Sequence, residues 1–218
     1  MAVPTIDGFK AEAARVGVTG RIDIAALTAV LPHDMSNLTT TGAGAYTNLG
    51  YISDDGVTEN RDEDNQEFVP WQENSAIRYE ITKSVTTFEF TLWQSTLATA
   101  GFYYGVSASD MLKNTDGSVF FDEKGKPDVT QHKLVLTVVD GSRARRTCLA
   151  AAQVTERGEI TYKSDEMIGY NVTVTGFPGT TGTSDEDDIS CRRIFMEGWD
   201  TTGITAYTPP SGGSGGGS

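Results

Sequence analysis

The sequence predicts an all-β protein, a sandwich or barrel with one short helix. Segments in which apolar and polar residues alternate recur roughly every 8 to 15 residues, as strands of such folds do. Asp-Gly pairs at positions 55–56 and 140–141 are signals of tight turns between strands. Only one stretch, residues 94–100, has the small, helix-tolerant side chains expected of a helix.

The first part of the chain predicts an N-terminal arm followed by a strand. Residues 1–19 mix Gly, Pro, Ala and charged residues, and we expect an arm there. The segment GRIDIA alternates, with Ile22 and Ile24 on one face, and we expect this strand to continue to Leu31, before Pro32 removes a backbone donor. Residues 33–45 consist of turn formers and small polar residues, which predicts a connecting loop.

The next segment is strongly acidic. Residues 46–53 have strand character, and Asp-Asp-Gly at 54–56 predicts a tight turn that sends residues 57–60 back antiparallel. The acids of residues 54–67, with a single base Arg61, are Asp54, Asp55, Glu59, Asp62, Glu63, Asp64 and Glu67. Burying so many unpaired charges would cost several kcal/mol per ion. We therefore expect a hairpin, residues 49–77, that projects into solvent or toward a partner.

The segment AIRYEITKSVTTFEFTLW predicts the central strands. Alternation places Ile77, Tyr79 and Ile81 on one face and Phe88, Phe90 and Leu92 on another. The helix follows, with Gly101 and Gly105 marking its end. The large aromatic residues of this region are interpreted as core residues, with an interface role for some of them as the alternative; they are Trp71, Phe88, Phe90, Trp93, Tyr103 and Tyr104.

The second half predicts a polar excursion and further hairpins. Residues 106–131 are rich in turn formers, with one small hairpin near residues 119–121. Residues 133–154 predict a strong hairpin that turns at Asp140-Gly141. Strands are also expected at 160–162, 170–177 and, as an edge strand, 191–199. The domain then spans residues 20–208, and residues 209–218 have the composition of a flexible Gly/Ser linker, native or added by cloning.

Length and charge limit the possible functions. A chain of 218 residues with 38% hydrophobic content can bury one sizeable core. The net charge of -13 argues against tight nucleic-acid binding, which is supplied mainly by Lys and Arg. The N-terminal sequence lacks the apolar core of a signal peptide, and no apolar run is long enough to span a bilayer, so we expect a soluble protein made in the cytoplasm, without a membrane partner. Cys148 and Cys191 are interpreted as free thiols.

No pattern of catalytic or metal-binding residues is found, and we expect neither an enzyme nor a cofactor. The acids lie on a hairpin without the apolar surroundings that a general acid needs. His33 and His132 lie in polar loops without partners at a recognisable spacing, and we interpret them as solvated surface residues. Asp62, Asp64 and Gln66 have the spacing of a calcium loop, but Glu67 stands where the sharp turn requires Gly.

Arg143, Arg145 and Arg146 form the main basic concentration. On a strand, Arg143 and Arg145 face one side and Arg146 the other. Phosphate binding would require more positive charge. We expect these arginines to pair with the acidic hairpin, or with residues 185–188, of a neighbouring copy.

The order of these parts resembles the major tail-tube proteins of long-tailed phages that infect actinobacteria. The resemblance covers roughly residues 20–177 and depends on LGYISDDGV at 49–57, on Trp71, on the FEFTL strand and on the YYG after the helix. It implies a β-sandwich subunit that joins five others in a ring, with inner strands closing a continuous barrel around a lumen. Rings would stack head to tail into an open filament.

The resemblance also implies partners and roles for individual residues. The partners would be other copies, a tape-measure protein in the lumen, tail-terminator and tail-tip proteins, and DNA that passes without tight binding. The acids listed above, with Arg61, Trp71, Arg143 and Arg145, would contact neighbouring subunits. The location would be the tail of the virion. The alternative is a carbohydrate- or receptor-binding sandwich of a phage tail or surface protein, which a solvent-facing aromatic platform would favour.

Overall fold

The computed structural model of the chain describes residues 10–42, 44–125, 129–179 and 186–208. These residues form ten strands and one α-helix, which confirms the predicted all-β class with one short helix. The strands are β1 (Thr19–Ala25), β2 (Thr47–Asn48), β3 (Ile52–Phe68), β4 (Arg78–Leu92), β5 (Leu112–Lys113), β6 (Val119–Phe120), β7 (Gln131–Asp140), β8 (Arg143–Arg157), β9 (Tyr170–Phe177) and β10 (Cys191–Met196), and the helix α1 is Leu97–Tyr104.

One antiparallel sheet organises the domain. Its strand order is β2-β1-β7-β8-β9-β4-β3, and β10 pairs with the first half of β8 while β9 pairs with the second half. The two ends of this order are joined by residues 49–51 alone, so Asn48 and Ile52 lie at most about 14 Å apart. The sheet therefore curls until its two edge strands lie close together, as in an open barrel.

The curled sheet encloses the main hydrophobic core. The core contains Ile22 of β1, Phe88 of β4, Leu134 of β7 and Val174 of β9, each of which is at most 1% exposed. Helix α1 covers this core and contributes Phe102 to it. A second cluster lies on the opposite face of β7 and β8, around Val135, Cys148 and Ala150, and is covered by the segment between β1 and β2. Strands β7 and β8 are therefore buried on both faces.

The predicted turn at residues 54–56 is wrong. Asp54, Asp55 and Gly56 lie inside β3, where the pairing with β4 jumps from Ile52 opposite Leu92 to Val57 opposite Phe90. The extra residues form an irregularity in the strand, and Gly56 supplies the positive φ of 75° that it needs. The hairpin turns only after Phe68, so it is much longer than the Asp-Gly signal predicts.

The predicted separation of the two apolar rows of β4 is also wrong. A β-bulge leaves Thr82 without an opposite residue, because Asp64 pairs with Lys83 and Asn65 with Ile81. One extra residue changes the side to which the following residues point. Tyr79 and Ile81 consequently lie on the same face as Phe88, and Ile77 continues that row.

Several smaller predictions are corrected. Strand β1 ends at Ala25 and does not reach Leu31. Residues 160–162 form no strand, although Ile160 packs against the core. Gly101 lies inside α1, which begins after the N-cap Thr96 and ends at Gly105 in the left-handed conformation.

The hairpins of the second half are confirmed. Asp140 pairs with Arg143 across a tight turn, where Gly141 has a φ of 58°. Strands β5 and β6 form the small hairpin of the polar excursion. The first nine residues of the arm (residues 1–9), the linker (residues 209–218) and the segment that ends at Asp185 (residues 180–185) lie outside the described residues. No helix in the described part of the chain is long and apolar enough to cross a membrane.

Candidate subunit interface

The β3–β4 hairpin leaves the body of the domain. Residues 58–69 and 77–84 are all exposed. In β4 from Thr86 to Leu92, by contrast, every second residue is buried. At about 3.3 Å per residue, residues 58–68 extend for roughly 35 Å. Strand β3 is also the last strand of the sheet, so its outer edge carries no strand partner within the described chain. Unpaired edges of this kind are templates for pairing with another chain.

One face of the hairpin is charged. Lys83 Nζ lies 3.8 Å from Asp62 and 4.0 Å from Asp64, and Arg78 lies 3.9 Å from Glu80 on the same face. All five side chains are more than half exposed. Exposed pairs of this kind are each worth under about 1 kcal/mol, so they favour solubility more than stability.

The opposite face combines apolar and charged side chains. Arg61 Nε donates to Glu63 over 2.6 Å, and Ser84 Oγ donates to the same carboxylate over 3.1 Å. Glu67 lies opposite Tyr79 in the next part of the ladder. At the base of the hairpin, Glu59 forms an ion pair with Arg193 of β10. The predicted acids are therefore divided between two faces, and several already have a basic partner in their own subunit.

The remaining predicted hairpin residues lie at its two ends. Asp54 and Asp55 are exposed at the base. Trp71 lies beyond the end of β3 with 98% of its surface exposed, so its interpretation as a core residue is wrong. The exposure of Trp71 cannot be predicted from sequence alone, because only the structure shows that the hairpin extends beyond the domain and leaves Trp71 without core residues around it.

Arg145 is held within its own subunit. Its guanidinium donates to Glu197 over 2.9 Å, and Arg15 donates to the other oxygen of Glu197 over 2.7 Å. The hydrogen bonds from Arg15 and Arg145 hold the pKa of the Glu197 carboxyl below its ordinary value. An acid of a neighbouring copy would therefore have to compete with Glu197 of the same chain for Arg145. Arg143 is partly buried beside it, against Gly198.

The buried ion pair between Lys133 and Glu186 was not identified from the sequence. Lys133 of β7 forms an ion pair with Glu186, and both side chains are at most 6% exposed. Glu186 also accepts a hydrogen bond of 2.7 Å from the backbone N–H of Leu31. Arg146 is likewise buried and donates to Thr137 and to the carbonyls of Asp34 and Ser36. No spacing rule links positions 133 and 186, because only the sheet brings them together.

The histidines and cysteines have structural surroundings. His33 stacks on Tyr207 with 4.7 Å between ring centroids. His132 is part of β7 and packs against Phe102, where burial lowers its pKa, so its interpretation as a solvated loop residue is wrong. Burial raises the pKa of the Cys148 thiol to about 12. Throughout residues 10–42, 44–125, 129–179 and 186–208, no group of three or more His, Cys, Asp or Glu residues has a geometry suited to a metal ion.

Comparison with known proteins identifies the family. Residues 7–187 match the family described as phage tail tube protein, which is well over half of the chain. The chain belongs to the phage tail tube protein family. It is therefore a structural protein of a phage tail, a class of tail component that associates with copies of itself and with other tail proteins. The narrower resemblance to proteins of actinobacterial long-tailed phages stays a prediction.

Two further comparisons add little to this membership. No curated protein matches the sequence. Among solved structures, a chain of the anti-feeding prophage baseplate, determined by cryo-electron microscopy with 6-fold symmetry, is 9% identical with a TM-score of 0.37, covering 89% of this tail tube protein and 97% of that chain. The family assignment therefore depends on the match to the family model, and the candidate interface is inferred from the geometry of the β3–β4 hairpin.

Proposed function

We propose that this chain is the repeating subunit of a phage tail tube, in which six copies form a ring and rings stack into a filament that conducts DNA during ejection. The ring of six and the lumen follow from the resemblance to tail-tube proteins of long-tailed phages. Membership of the family supports the self-association on which both depend. The tube would be part of the virion tail, assembled from subunits made in the host cytoplasm.

The observation that carries the proposal is the exposed hairpin. A two-stranded hairpin is at best marginally stable alone in water. Here residues 58–69 and 77–84 extend from the domain. Within the described chain, the outer edge of β3 has no strand partner, and the side chains of Ile77, Tyr79 and Ile81 form an exposed apolar row. Contact with a neighbouring subunit would cover that row and pair that edge.

The charged residues then have two roles in the proposed contact. Glu63 and Glu67, on the face of the apolar row, would approach the arginines Arg143 and Arg145 of a neighbour, so that opposite charges set the orientation of subunits. Asp62 and Asp64, on the opposite face, would lie at the edge of the contact. Because Arg145 already binds Glu197, it would share its guanidinium between the two carboxylates. Asp54, Asp55, Glu59, Arg61 and Trp71 complete the proposed contact set.

The overall charge suits a conduit for DNA. A net charge of -13 repels phosphates, whereas a lumen lined with Lys and Arg would release counterions and retain the genome. Before ejection, the lumen would hold a tape-measure protein, and terminator and tip proteins would close the two ends of the tube. The inner strands of the subunits would together form the lumen wall.

Shortening the hairpin tests this function. Replacing residues 64–83 by Asn-Gly joins Glu63 to Ser84, which already pair, through a two-residue turn. The core at Phe88 and Phe90 remains, so the shortened chain should fold. Its far-UV circular dichroism should show β-sheet, and it should unfold cooperatively on heating. Negative-stain electron microscopy should show rings or tubes for the wild type at high concentration and none for the shortened chain. Tubes of normal length from the shortened chain would contradict the role of the hairpin.

The alternative function is binding of a carbohydrate or receptor by a tail or surface module. The exposed aromatic pair Phe195 and Trp199, with ring centroids 5.0 Å apart, is the feature that favours it. A single copy would then bind its target without assembly. Particles that stay monomeric at all concentrations in sedimentation and microscopy would favour this alternative over a tube.

A further inference from the structure

An exposed apolar row continues the core face of β4. Ile77, Tyr79 and Ile81 are 65%, 64% and 59% exposed, and the bulge at Thr82 places them on the same face as Phe88 and Phe90. The charged pairs of Lys83 lie on the other face. The row is therefore an apolar surface with a defined direction, and it extends beyond the body of its own subunit.

The same chain has an open groove at one end of its core. A groove of about 590 Å³ lies between residues 17–20 of the β1 strand region and residues 50–57 of the β3 region, with Leu136 and Val138 also lining it. Val18 and Tyr51 at this groove are 67% and 77% exposed. Here the curled sheet does not close over its core, and apolar side chains line a surface that is open to solvent.

The lining of the groove suits an inserted chain segment. Four of its residues are glycines, Gly17, Gly20, Gly50 and Gly56, and all of them except Gly50 are exposed. Ser53 also lines the groove, is 7% exposed, and its Oγ has no hydrogen-bond partner within the described residues. Because this oxygen is shielded from solvent, it does not by itself indicate a partner in the groove.

The apolar row of one subunit cannot reach the groove of that subunit. Tyr79 pairs with Glu67, and β3 runs without interruption from Val57, at the groove, to Glu67. Ten residues of strand separate them by about 33 Å. A strand paired along its length does not fold back, so a second copy must supply any row that occupies the groove.

Charge favours a second copy as the occupant. The groove shares Gly17 and Val138 with a neighbouring cleft in which three arginines, Arg15, Arg143 and Arg145, outnumber the two acids Asp140 and Glu197. The face that carries the apolar row also carries Glu63 and Glu67. The acids would be attracted toward the arginine cleft and repelled by Asp54 and Asp55 at the groove, which gives the inserted hairpin one direction.

We propose that the row Ile77, Tyr79 and Ile81 of one subunit packs into the groove beside Val18 and Tyr51 of the next subunit. This proposal rests on the proposed tail-tube function and specifies its contact. The two surfaces differ from each other, so each subunit offers one row and one groove. Such a head-to-tail contact does not saturate in a dimer and continues into a ring or filament.

Cross-linking between two singly labelled chains tests the pairing. One chain carries Ile81→Cys and the other Val18→Cys, both in a Cys191→Ser background in which the buried Cys148 remains. A short bismaleimide should join the mixed chains at least about tenfold more than either chain alone, a ratio that corresponds to about 1.4 kcal/mol of preference. Lys83→Cys, on the opposite face of the hairpin, is the matched control and should cross-link poorly to Val18→Cys.

Four outcomes would overturn the proposal. Ile81→Cys chains that join each other as readily as they join Val18→Cys would indicate a symmetric contact between two rows. Equal yields from Lys83→Cys would show that the face of the hairpin does not matter. Tubes in the microscope without the Ile81–Val18 link would refute this contact but retain the tail-tube function, whereas failure of the wild type to assemble at all would refute both.

Substitution in the row gives an independent measure. Tyr79→Ser with Ile81→Ser removes two exposed apolar side chains, so the thermal midpoint of the unassembled domain should change little. We expect the concentration needed for assembly to rise by about a hundredfold or more, because both side chains lose their burial in the contact. Glu80→Gln with Lys83→Gln, on the charged face, should leave that concentration within about threefold of wild type. Wild-type assembly by the serine variant would overturn the proposal.

Discussion

Ile81 and Phe88 project from the same face of β4 although seven positions separate them in the sequence. In a regular strand, residues an odd number apart point to opposite faces. The bulge at Thr82 reverses this, since Asp64 and Asn65 pair with Lys83 and Ile81 and leave Thr82 between them. The bulge thus decides which face of the exposed hairpin is apolar.

Deleting Thr82 should reverse the two faces of the outer hairpin. Without the extra residue, Ile77, Tyr79 and Ile81 would point to the side now occupied by the charged pairs. We expect the domain to fold with a thermal midpoint within a few degrees of wild type, because the core side chains of β4 lie beyond the bulge. Assembly followed by light scattering should be lost or strongly delayed.

The control for this deletion is Thr82→Ser, which keeps the length of the strand and a hydroxyl at the bulge. Its assembly should match wild type. If the deletion and the serine variant assemble equally well, the orientation of the row has no role in the contact.

Breaking the buried ion pair should destabilise the domain. Glu186→Gln removes the charge that compensates Lys133 but keeps an oxygen that can accept from the N–H of Leu31. Removing one partner of a buried pair typically costs about 3 to 5 kcal/mol. Urea denaturation should show this loss in the free energy of unfolding.

The double variant Lys133→Met with Glu186→Gln separates charge from packing. With no unpaired buried charge left, it should recover most of the stability that Glu186→Gln loses. A double variant as unstable as the single one would show that the uncompensated charge of Lys133 is not the cause of the loss.

Cys148 and Cys191 should remain separate, unreactive thiols. Cys148 lies opposite Arg192, and Cys191 opposite Leu149, so the two sulfurs point to opposite faces of the sheet and cannot form a disulfide. Burial also raises the pKa of both thiols, that of Cys148 to about 12. In native protein at pH 7, mass spectrometry should find Cys148 unlabelled by maleimide, and denaturant should expose it. Rapid native labelling of Cys148 would contradict its buried position.

His132 should make the domain less stable in acid. Burial lowers its pKa below the ordinary value of 6.5, so between these two values the unfolded chain binds a proton that the folded chain does not. The free energy of unfolding should therefore fall as the pH drops below about 6.5, by at most about 1.4 kcal/mol per pH unit from this group. The difference between wild type and His132→Gln, measured by urea denaturation from pH 7.5 to 5, should show this slope. A constant difference would exclude the contribution of His132.

The sequence was sufficient for the class of fold and for most strands. Alternation of apolar residues identified Ile22 and Ile24 of β1, and the Asp-Gly pair at 140–141 identified the turn between β7 and β8, because side-chain period and turn geometry are local properties. The density of acids also indicated an exposed segment at residues 54–67. The same local rule failed at residues 54–56, where an identical Asp-Gly signal forms an irregularity inside a long strand.

Tertiary structure alone decided which surfaces the exposed segment presents. A bulge exists only relative to the partner strand, so no pattern in residues 77–92 reveals that Ile81 and Phe88 share a face. The ion pairs of Lys133 with Glu186 and of Arg15 and Arg145 with Glu197 likewise join positions far apart in the chain. Charge and alternation are written locally in the sequence, whereas pairing register and charge compensation arise only when the sheet brings distant residues together.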